Sequence, residues 1–216
     1  MRAVIFDLDG VVVDTARYHY LAWKELAHRL GFEFDIEHNE RLKGVSRMAS
    51  LEVVLEVGQI TGLTMEEKNQ LADDKNEKYL ELISGIDESN ILPGVLEFLK
   101  KLKSLGYKIA LGSASKSGKM IIHKLKLNDY FDVIVDGNLI KTPKPDPEVF
   151  IKAADLLHIP YNQCIVIEDA AAGIEAAKKG GMFCIGIGNN EILGAADMII
   201  PSTELLPTID LENIFK

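Results

Sequence analysis

The segment Ala3-Val4-Ile5-Phe6 is an unbroken apolar run that stops abruptly on Asp7-Leu8-Asp9-Gly10. No polar residue alternates within it, so it is not a strand with one wetted face. It reads as a strand buried on both sides, which belongs in a parallel sheet covered by helices. Open parallel sheets bind ligands outside the carboxyl ends of their strands. The residues that end this run, Asp7 and Asp9, are therefore candidates for chemistry from the outset.

Similar runs recur at Lys108-Ile109-Ala110-Leu111, Val133-Ile134-Val135, Cys164-Ile165-Val166-Ile167, Phe183-Cys184-Ile185 and Met198-Ile199-Ile200. Helical patterns lie between them, such as Val95, Leu96, Leu99, Leu102 and Leu105 closed by Gly106. Strands alternating with amphipathic helices predict an α/β domain with a Rossmann-like parallel sheet. From Thr15 to Ile83 the pattern changes. Ala16, Tyr20, Trp23, Ala27 and Leu30 recur at helical spacing, Ser46 can cap a helix carrying Met48, Leu51 and Leu55, and Thr64-Met65-Glu66-Glu67 has the form of a capping box. The expected organisation is an α/β core of residues 1–14 and 91–216 with an α-helical bundle, residues 15–90, inserted after the first strand. The connections near Val11–Asp14 and Asp87–Pro93 are the natural hinge.

Lys plus Arg number 24 against 33 Asp plus Glu, a formal net charge of −9 over 216 residues. Such a chain is a poor non-specific binder of nucleic acid or of an anionic membrane surface. An anionic substrate would need locally concentrated cations. No apolar run approaches the ~18 residues that span a bilayer. The two cysteines, Cys164 and Cys184, sit in apolar runs and match neither a redox pair nor a zinc site. A cytoplasmic monomer with buried thiols is expected.

The strand ends collect Asp7 and Asp9, then Ser113, Ala114, Ser115 and Lys116, then Lys144 in a Pro-rich loop, then Glu168 and Asp169. Each has an ordinary reading. Asp-x-Asp-Gly is a turn signal, Asp169 and Ser113 or Ser115 can be helix caps, and Lys144 can be a solvated loop lysine. Together they are harder to dismiss. Two like charges ~5 Å apart repel by ~3 kcal/mol at an effective dielectric of ~20. Several carboxylates on one rim call for a cation, and oxygen-only ligands select a hard one such as Mg2+.

Phe6-Asp7-Leu8-Asp9-Gly10-Val11, Ser113, Lys144 and Glu168-Asp169 resemble the four motifs of the haloacid dehalogenase-like phosphotransferases, in order and at strand ends, over residues 1 to about 188. The helical insertion resembles that superfamily's cap. The resemblance implies Asp7 as the nucleophile that forms an aspartyl-phosphate and Asp9 as general acid/base. It implies Ser113, Ala114 and Lys144 around the transferring phosphoryl group, and Asp7, Asp9, Glu168 and Asp169 around Mg2+. The residues suit these roles. Lys144 and a metal would remove the repulsion between a carboxylate and a phosphate, and a second carboxylate two residues on projects to the same side of an extended backbone. A cis peptide is expected at Lys144–Pro145, since only X-Pro makes that geometry cheap.

Within the insertion, His19 and Lys75 fall on otherwise apolar or aromatic stripes, where core packing and snorkelling are the ordinary readings. Arg47 opens a helix, the electrostatically wrong end for a cation, so an anionic partner is expected. The stretches Asp14 to Trp23, Leu42 to Arg47, Lys75-Asn76 and Ser113 to Lys116 are similar to the β-phosphoglucomutase family. Its reaction interconverts β-glucose 1-phosphate and glucose 6-phosphate through the 1,6-bisphosphate. The similarity implies that Arg47, Ser115 and Lys116 bind the phosphate not being transferred. It places His19, Trp23, Lys43, Gly44, Val45, Ser46 and Lys75 around the sugar. One departure is visible: the family pattern has Asn after Ser-Ala-Ser-Lys, and this chain has Ser117, which reaches less far. A sugar-phosphate phosphatase with the same cap is the alternative. A phospho-receiver domain is a third reading, disfavoured because a receiver needs no cap.

Overall fold

A computed structural model of the chain describes residues 2–42 and 45–214. In chain order the elements are β1 (Ala3–Phe6), α1 (Ala16–Arg29), α2 (Ile36–Glu40), α3 (Arg47–Val57), α4 (Met65–Leu82), α5 (Val95–Ser104), β2 (Lys108–Gly112), α6 (Gly118–Lys124) and β3 (Val133–Val135). They continue with α7 (Glu148–Leu157), β4 (Cys164–Glu168), α8 (Ala171–Lys179), β5 (Phe183–Ile187), α9 (Asn190–Leu193), β6 (Met198–Ile200) and α10 (Leu211–Ile214). The chain divides into two compact units, Met1–Asp14 with Ile86–Lys216, and Thr15–Gly85.

The first unit is built on a six-stranded sheet of order β3-β2-β1-β4-β5-β6, with every neighbouring pair parallel. Strand β1 is central, and Phe6 stands in register with Leu111 of β2 and Ile167 of β4. Every residue of β1 and β4 is buried, as their unbroken apolar runs require. Successive residues of a strand face opposite sides. Ala3 and Ile5 pack with Val149, Phe150 and Ala153 of α7 and with Ile174 and Ala177 of α8. Phe6 faces the other way, edge-on to Phe98 of α5 and to Phe131, with ring centroids 6.0 and 6.1 Å away. From β1 the chain builds outward through β2 and β3 on one side, then returns to place β4 on the other side of β1, so the switch point of the sheet lies at the carboxyl ends of β1 and its two neighbours.

The second unit is all helical over its described residues. Trp23, Leu26 and Ala27 of α1 pack with Leu51, Val54 and Leu55 of α3, with Ala72 of α4 and with Phe34. Its starts were written in the sequence. Ser46 Oγ accepts a hydrogen bond from Ala49 N at 3.2 Å, and Thr64 and Glu67 form a reciprocal capping box ahead of α4. Helix α2 was not anticipated. It is one short stretch capped by Asp35, whose Oδ1 accepts from His38 N at 2.9 Å.

The boundary between units falls at Gly85–Ile86, ahead of the residue 90 read from the sequence. The returning segment is already tied to the core there. Ile86 is buried, Leu92 N donates to Val12 O at 3.0 Å, and Ile91 bridges antiparallel to Val13. Cys164 and Cys184 are buried free thiols; burial pushes the Cys164 thiol up to about 12 and raises that of Cys184 as well. No helix among the described residues is long and apolar enough to cross a membrane.

Candidate active site

Asp7 extends β1 by one residue: its N–H donates to Ile167 O at 2.9 Å, which fixes the side chain at the strand end. Lys144 reaches it from the Pro-rich loop. Its Nζ donates to Asp7 Oδ1 and to Glu168 Oε1, each at 2.5 Å, and lies 4.7 Å from the centre of the Phe150 ring. The Lys144 side chain is 1% exposed, which rules out a solvated loop lysine. The Lys144–Pro145 peptide is cis, as expected. Burial alone would pull the Lys144 pKa down, but the Asp7 and Glu168 carboxylates outweigh it and hold the ammonium above its ordinary value. Burial raises the pKa of Glu168; Lys144 opposes that rise, and Asp7 adds to it.

The loop that delivers Lys144 is held by residues that sequence reasoning missed. The Glu148 carboxylate accepts from Lys141 N and Thr142 N, the latter at 2.7 Å, and Asp146 Oδ1 accepts from Glu148 N at 2.9 Å. Carboxylates at the start of a helix are common, so nothing in the local pattern singles these out.

Asp7, Glu168 and Asp169 each place a carboxylate oxygen within 4.8 Å of the others. These are three of the four residues expected around Mg2+; the Asp9 carboxylate is not in the group. Asp169 is not a helix cap, because the cap position of α8 is Ala170. The packing is shaped to these carboxylates. Gly10, at φ +80°, leaves room for Asp169: an added Cβ would lie 2.1 Å from its Oδ2. A Cβ at Gly173 would lie 1.8 Å from Glu168 Oε1. Glu168 cannot swing aside, since its Oε2 accepts from Asp169 N and Ala170 N, both at 2.9 Å. Three hard oxygen donors in a cradle that a side chain would fill fit a small divalent cation. Gly173 was missed, although a glycine inside α8 costs about 1 kcal/mol against alanine and so marks a packing need.

Ser113 lies just past β2, buried, with its N–H donating to Val135 O at 3.0 Å. Its Oγ accepts from Ser115 N at 3.1 Å, and Ser115 Oγ accepts from Ser117 N at 3.2 Å. These serines brace one another and do not cap α6. Ala114 and Ser115 are half-buried and Lys116 is exposed. The first unit thus brings Asp7, Ser113, Lys144, Glu168 and Asp169 to the ends of three adjacent strands.

The second unit assembles a cationic cluster of its own. Lys75 is 3% exposed, so it does not snorkel. Its Nζ is 2.7 Å from His19 Nδ1, 4.6 Å from the centre of the Trp23 ring and 5.0 Å from that of Tyr79. The His19 ring stacks on Tyr79 at 3.9 Å. Burial holds the His19 pKa well below its usual value, and the charges of Lys75 and Arg47 push in the same direction. Lys75 donates, so Nδ1 accepts and the imidazole proton is on Nε2. Arg47 finds its anionic partner in Asp73 at 3.3 Å, and its Nη2 donates to Asn76 Oδ1 at 2.7 Å. Burial lowers the Arg47 pKa and Asp73 opposes the shift.

Of the other residues expected near the sugar, Trp23 is buried in the helical core under Lys75, and the Ser46 hydroxyl accepts from Ala49 N as the cap of α3. Val45 is half-buried, and Lys43 and Gly44 lie outside the described residues.

A sequence profile of the haloacid dehalogenase-like hydrolases matches residues 1–181. The chain belongs to the haloacid dehalogenase-like hydrolase family. This haloacid dehalogenase-like protein is 44% identical over 212 residues to the β-phosphoglucomutase of Bacillus subtilis (strain 168), covering 98% of this chain and 93% of that one. It is 32% identical over 219 residues to a phosphorylated carbohydrates phosphatase of Thermotoga maritima, covering 100% of this chain and 99% of the other. The crystal structure of β-phosphoglucomutase from Clostridium difficile matches it with a TM-score of 0.92 at 44% identity, covering 99% of this chain and 95% of that one.

Proposed function

We propose that this protein is a β-phosphoglucomutase, interconverting β-glucose 1-phosphate and glucose 6-phosphate through β-glucose 1,6-bisphosphate. The observation that carries this reading is the 44% identity to the Bacillus enzyme over a match that covers 98% of this chain, and so spans both units. The core acts as the catalytic domain and the helical unit as its cap.

In this reading Asp7, Glu168 and Asp169 hold Mg2+, which when bound supplies positive charge against the repulsion between phosphate and carboxylate. An Asp7 oxygen attacks phosphorus, the bond from phosphorus to the sugar oxygen breaks, and Asp9 gives that oxygen a proton. The phosphoryl group now rests on Asp7. Asp9, deprotonated, then takes the proton of the free 6-hydroxyl of β-glucose 1-phosphate as that oxygen attacks phosphorus and Asp7 leaves, which makes the bisphosphate. The bisphosphate, turned about, returns its C1 phosphoryl group to Asp7 and leaves as glucose 6-phosphate. Lys144 stays charged throughout, because its two carboxylate neighbours raise its pKa. Ser113 donates its hydroxyl to the transferring group. A mutase must also hold a second phosphate with the sugar in either orientation. Ser115, Lys116 and Arg47 serve that phosphate, while neutral His19 and Lys75 serve the sugar side near Asp9.

The test is dependence on the bisphosphate. Catalytic amounts of β-glucose 1,6-bisphosphate should abolish the lag in conversion of β-glucose 1-phosphate. A phosphatase, the second reading, is favoured by the relative from Thermotoga maritima. It predicts release of inorganic phosphate with no effect of the bisphosphate beyond competition.

A further inference from the structure

The segment Ser113–Lys116 is held from outside by β3 and the turn that follows it. Val135 O accepts from Ser113 N at 3.0 Å, and Gly137 N donates to Ser115 O at 3.1 Å. Asn138 completes the series, its Nδ2 donating to Lys116 O at 2.8 Å. The carboxamide is itself aimed by Asp136, a buried carboxylate whose Oδ1 accepts from Asn138 N at 3.0 Å and from Asn138 Nδ2 at 3.1 Å. The other oxygen of Asp136 accepts from Lys119 N, at the start of α6, at 3.4 Å. One buried acid thus ties the turn to the helix on the far side of the loop. Position 117, where a longer amide would be expected by resemblance, is Ser in this chain.

We propose that Asn138 is a positioning residue for the second phosphate site. It fixes the main chain of Lys116, so that an exposed, flexible side chain has only its own torsions to order when it meets an anion. The proposal rests on the reading of Ser115 and Lys116 as ligands of the non-transferring phosphate. It predicts an effect confined to ligands that carry that phosphate.

The experiment compares wild type with Asn138→Ala, Asn138→Asp and Lys116→Ala. Three quantities are read: the half-saturating concentration of β-glucose 1,6-bisphosphate, the rate of Asp7 phosphorylation by acetyl phosphate, and the thermal midpoint. Acetyl phosphate has a transferable phosphoryl group and no second phosphate. Asn138→Ala should raise half-saturation by the bisphosphate roughly threefold to tenfold, as expected for one lost neutral hydrogen bond. The acetyl phosphate rate should stay within about twofold, a change no larger than that from a few tenths of a kcal/mol. Asn138→Asp should be worse than Asn138→Ala, since it sets a charge against the Lys116 carbonyl and Asp136. Equal losses with both ligands would show a general structural role and overturn the proposal. If Lys116→Ala weakens bisphosphate binding while Asn138→Ala does not, the positioning role alone falls. If Lys116→Ala also leaves bisphosphate binding unchanged, the second phosphate is held elsewhere, and the proposal falls together with that reading of the loop.

Discussion

Lys144 Nζ stands 2.5 Å from Asp7 Oδ1, a buried ion pair at the end of the central strand. The same ammonium is shared with Glu168, so one cation partly neutralises two carboxylates. Desolvating an ammonium is costly, and the arrangement persists because both partners are within hydrogen-bonding distance.

Removing the cation should therefore be expensive. Lys144→Met keeps most of the volume but leaves two buried carboxylates facing each other, a change expected to destabilise the fold by about 3–5 kcal/mol. Glu168 already has a raised pKa. Without Lys144 it is raised further, so the folded state of the variant binds more protons than the unfolded chain. The stability deficit of Lys144→Met should thus shrink as the pH falls from 7 towards 5, as read by urea unfolding. Asp7→Asn, by contrast, should abolish turnover with the circular dichroism spectrum unchanged.

The Asp9 carboxylate is not one of the three that cluster, and the proposed function gives it acid/base work. Asp9→Asn should slow phosphoryl transfer to and from sugar hydroxyls by ~10²–10⁴-fold. Phosphorylation of Asp7 by acetyl phosphate should suffer far less, because that leaving group needs no proton. Single-turnover rates with the two donors make the comparison, and matching losses would assign Asp9 a structural role.

A methyl group at position 173 has nowhere to go except into Glu168 Oε1. Gly173→Ala should weaken Mg2+ binding, measured by calorimetry, by about 10–100-fold, the range typical when the support of a metal ligand is disturbed. The double variant Gly173→Ala/Glu168→Asp shortens the acid by one methylene and should recover part of the affinity. Unchanged affinity in Gly173→Ala would show that the carboxylate can relocate freely.

His19 is held neutral in the folded protein, with a pKa below that of the unfolded chain. On acidification through the unfolded value of about 6.5, the unfolded state takes up a proton that the folded state refuses. Stability should therefore be complete above that pH and fall as the pH drops below it. His19→Asn keeps an acceptor for Lys75 and should flatten the slope between pH 6.5 and pH 5 in urea titrations. An identical slope in wild type and variant would place the titrating group elsewhere.

Much of the core was legible because buried parallel strands have no alternation to disguise them. The run Ala3 to Phe6, its copies and the polar residues that end them led directly to Asp7, Ser113 and Glu168, and the Pro-rich loop marked Lys144. What stayed hidden is set by partners distant in sequence. The burial of Lys75 depends on Trp23, Tyr79 and His19 from two helices, and a stripe of side chains does not say whether a lysine tip escapes. Trp23 packs in the helical core, which the resemblance that placed it near the sugar did not reveal. Asn138 sits 22 residues from the carbonyl it holds, beyond the reach of any local pattern. Helix α2 carries too few apolar residues to show a period.

In the proposed cycle Asp7 carries phosphoryl groups between the C1 and C6 oxygens of glucose by way of the 1,6-bisphosphate. Phosphorus NMR of the protein with β-glucose 1-phosphate, Mg2+ and a trace of β-glucose 1,6-bisphosphate follows every phosphorus species at once. Glucose 6-phosphate should replace the substrate nearly one for one, with inorganic phosphate a minor product. Stoichiometric release of inorganic phosphate without glucose 6-phosphate would contradict that cycle and leave a sugar-phosphate phosphatase in its place.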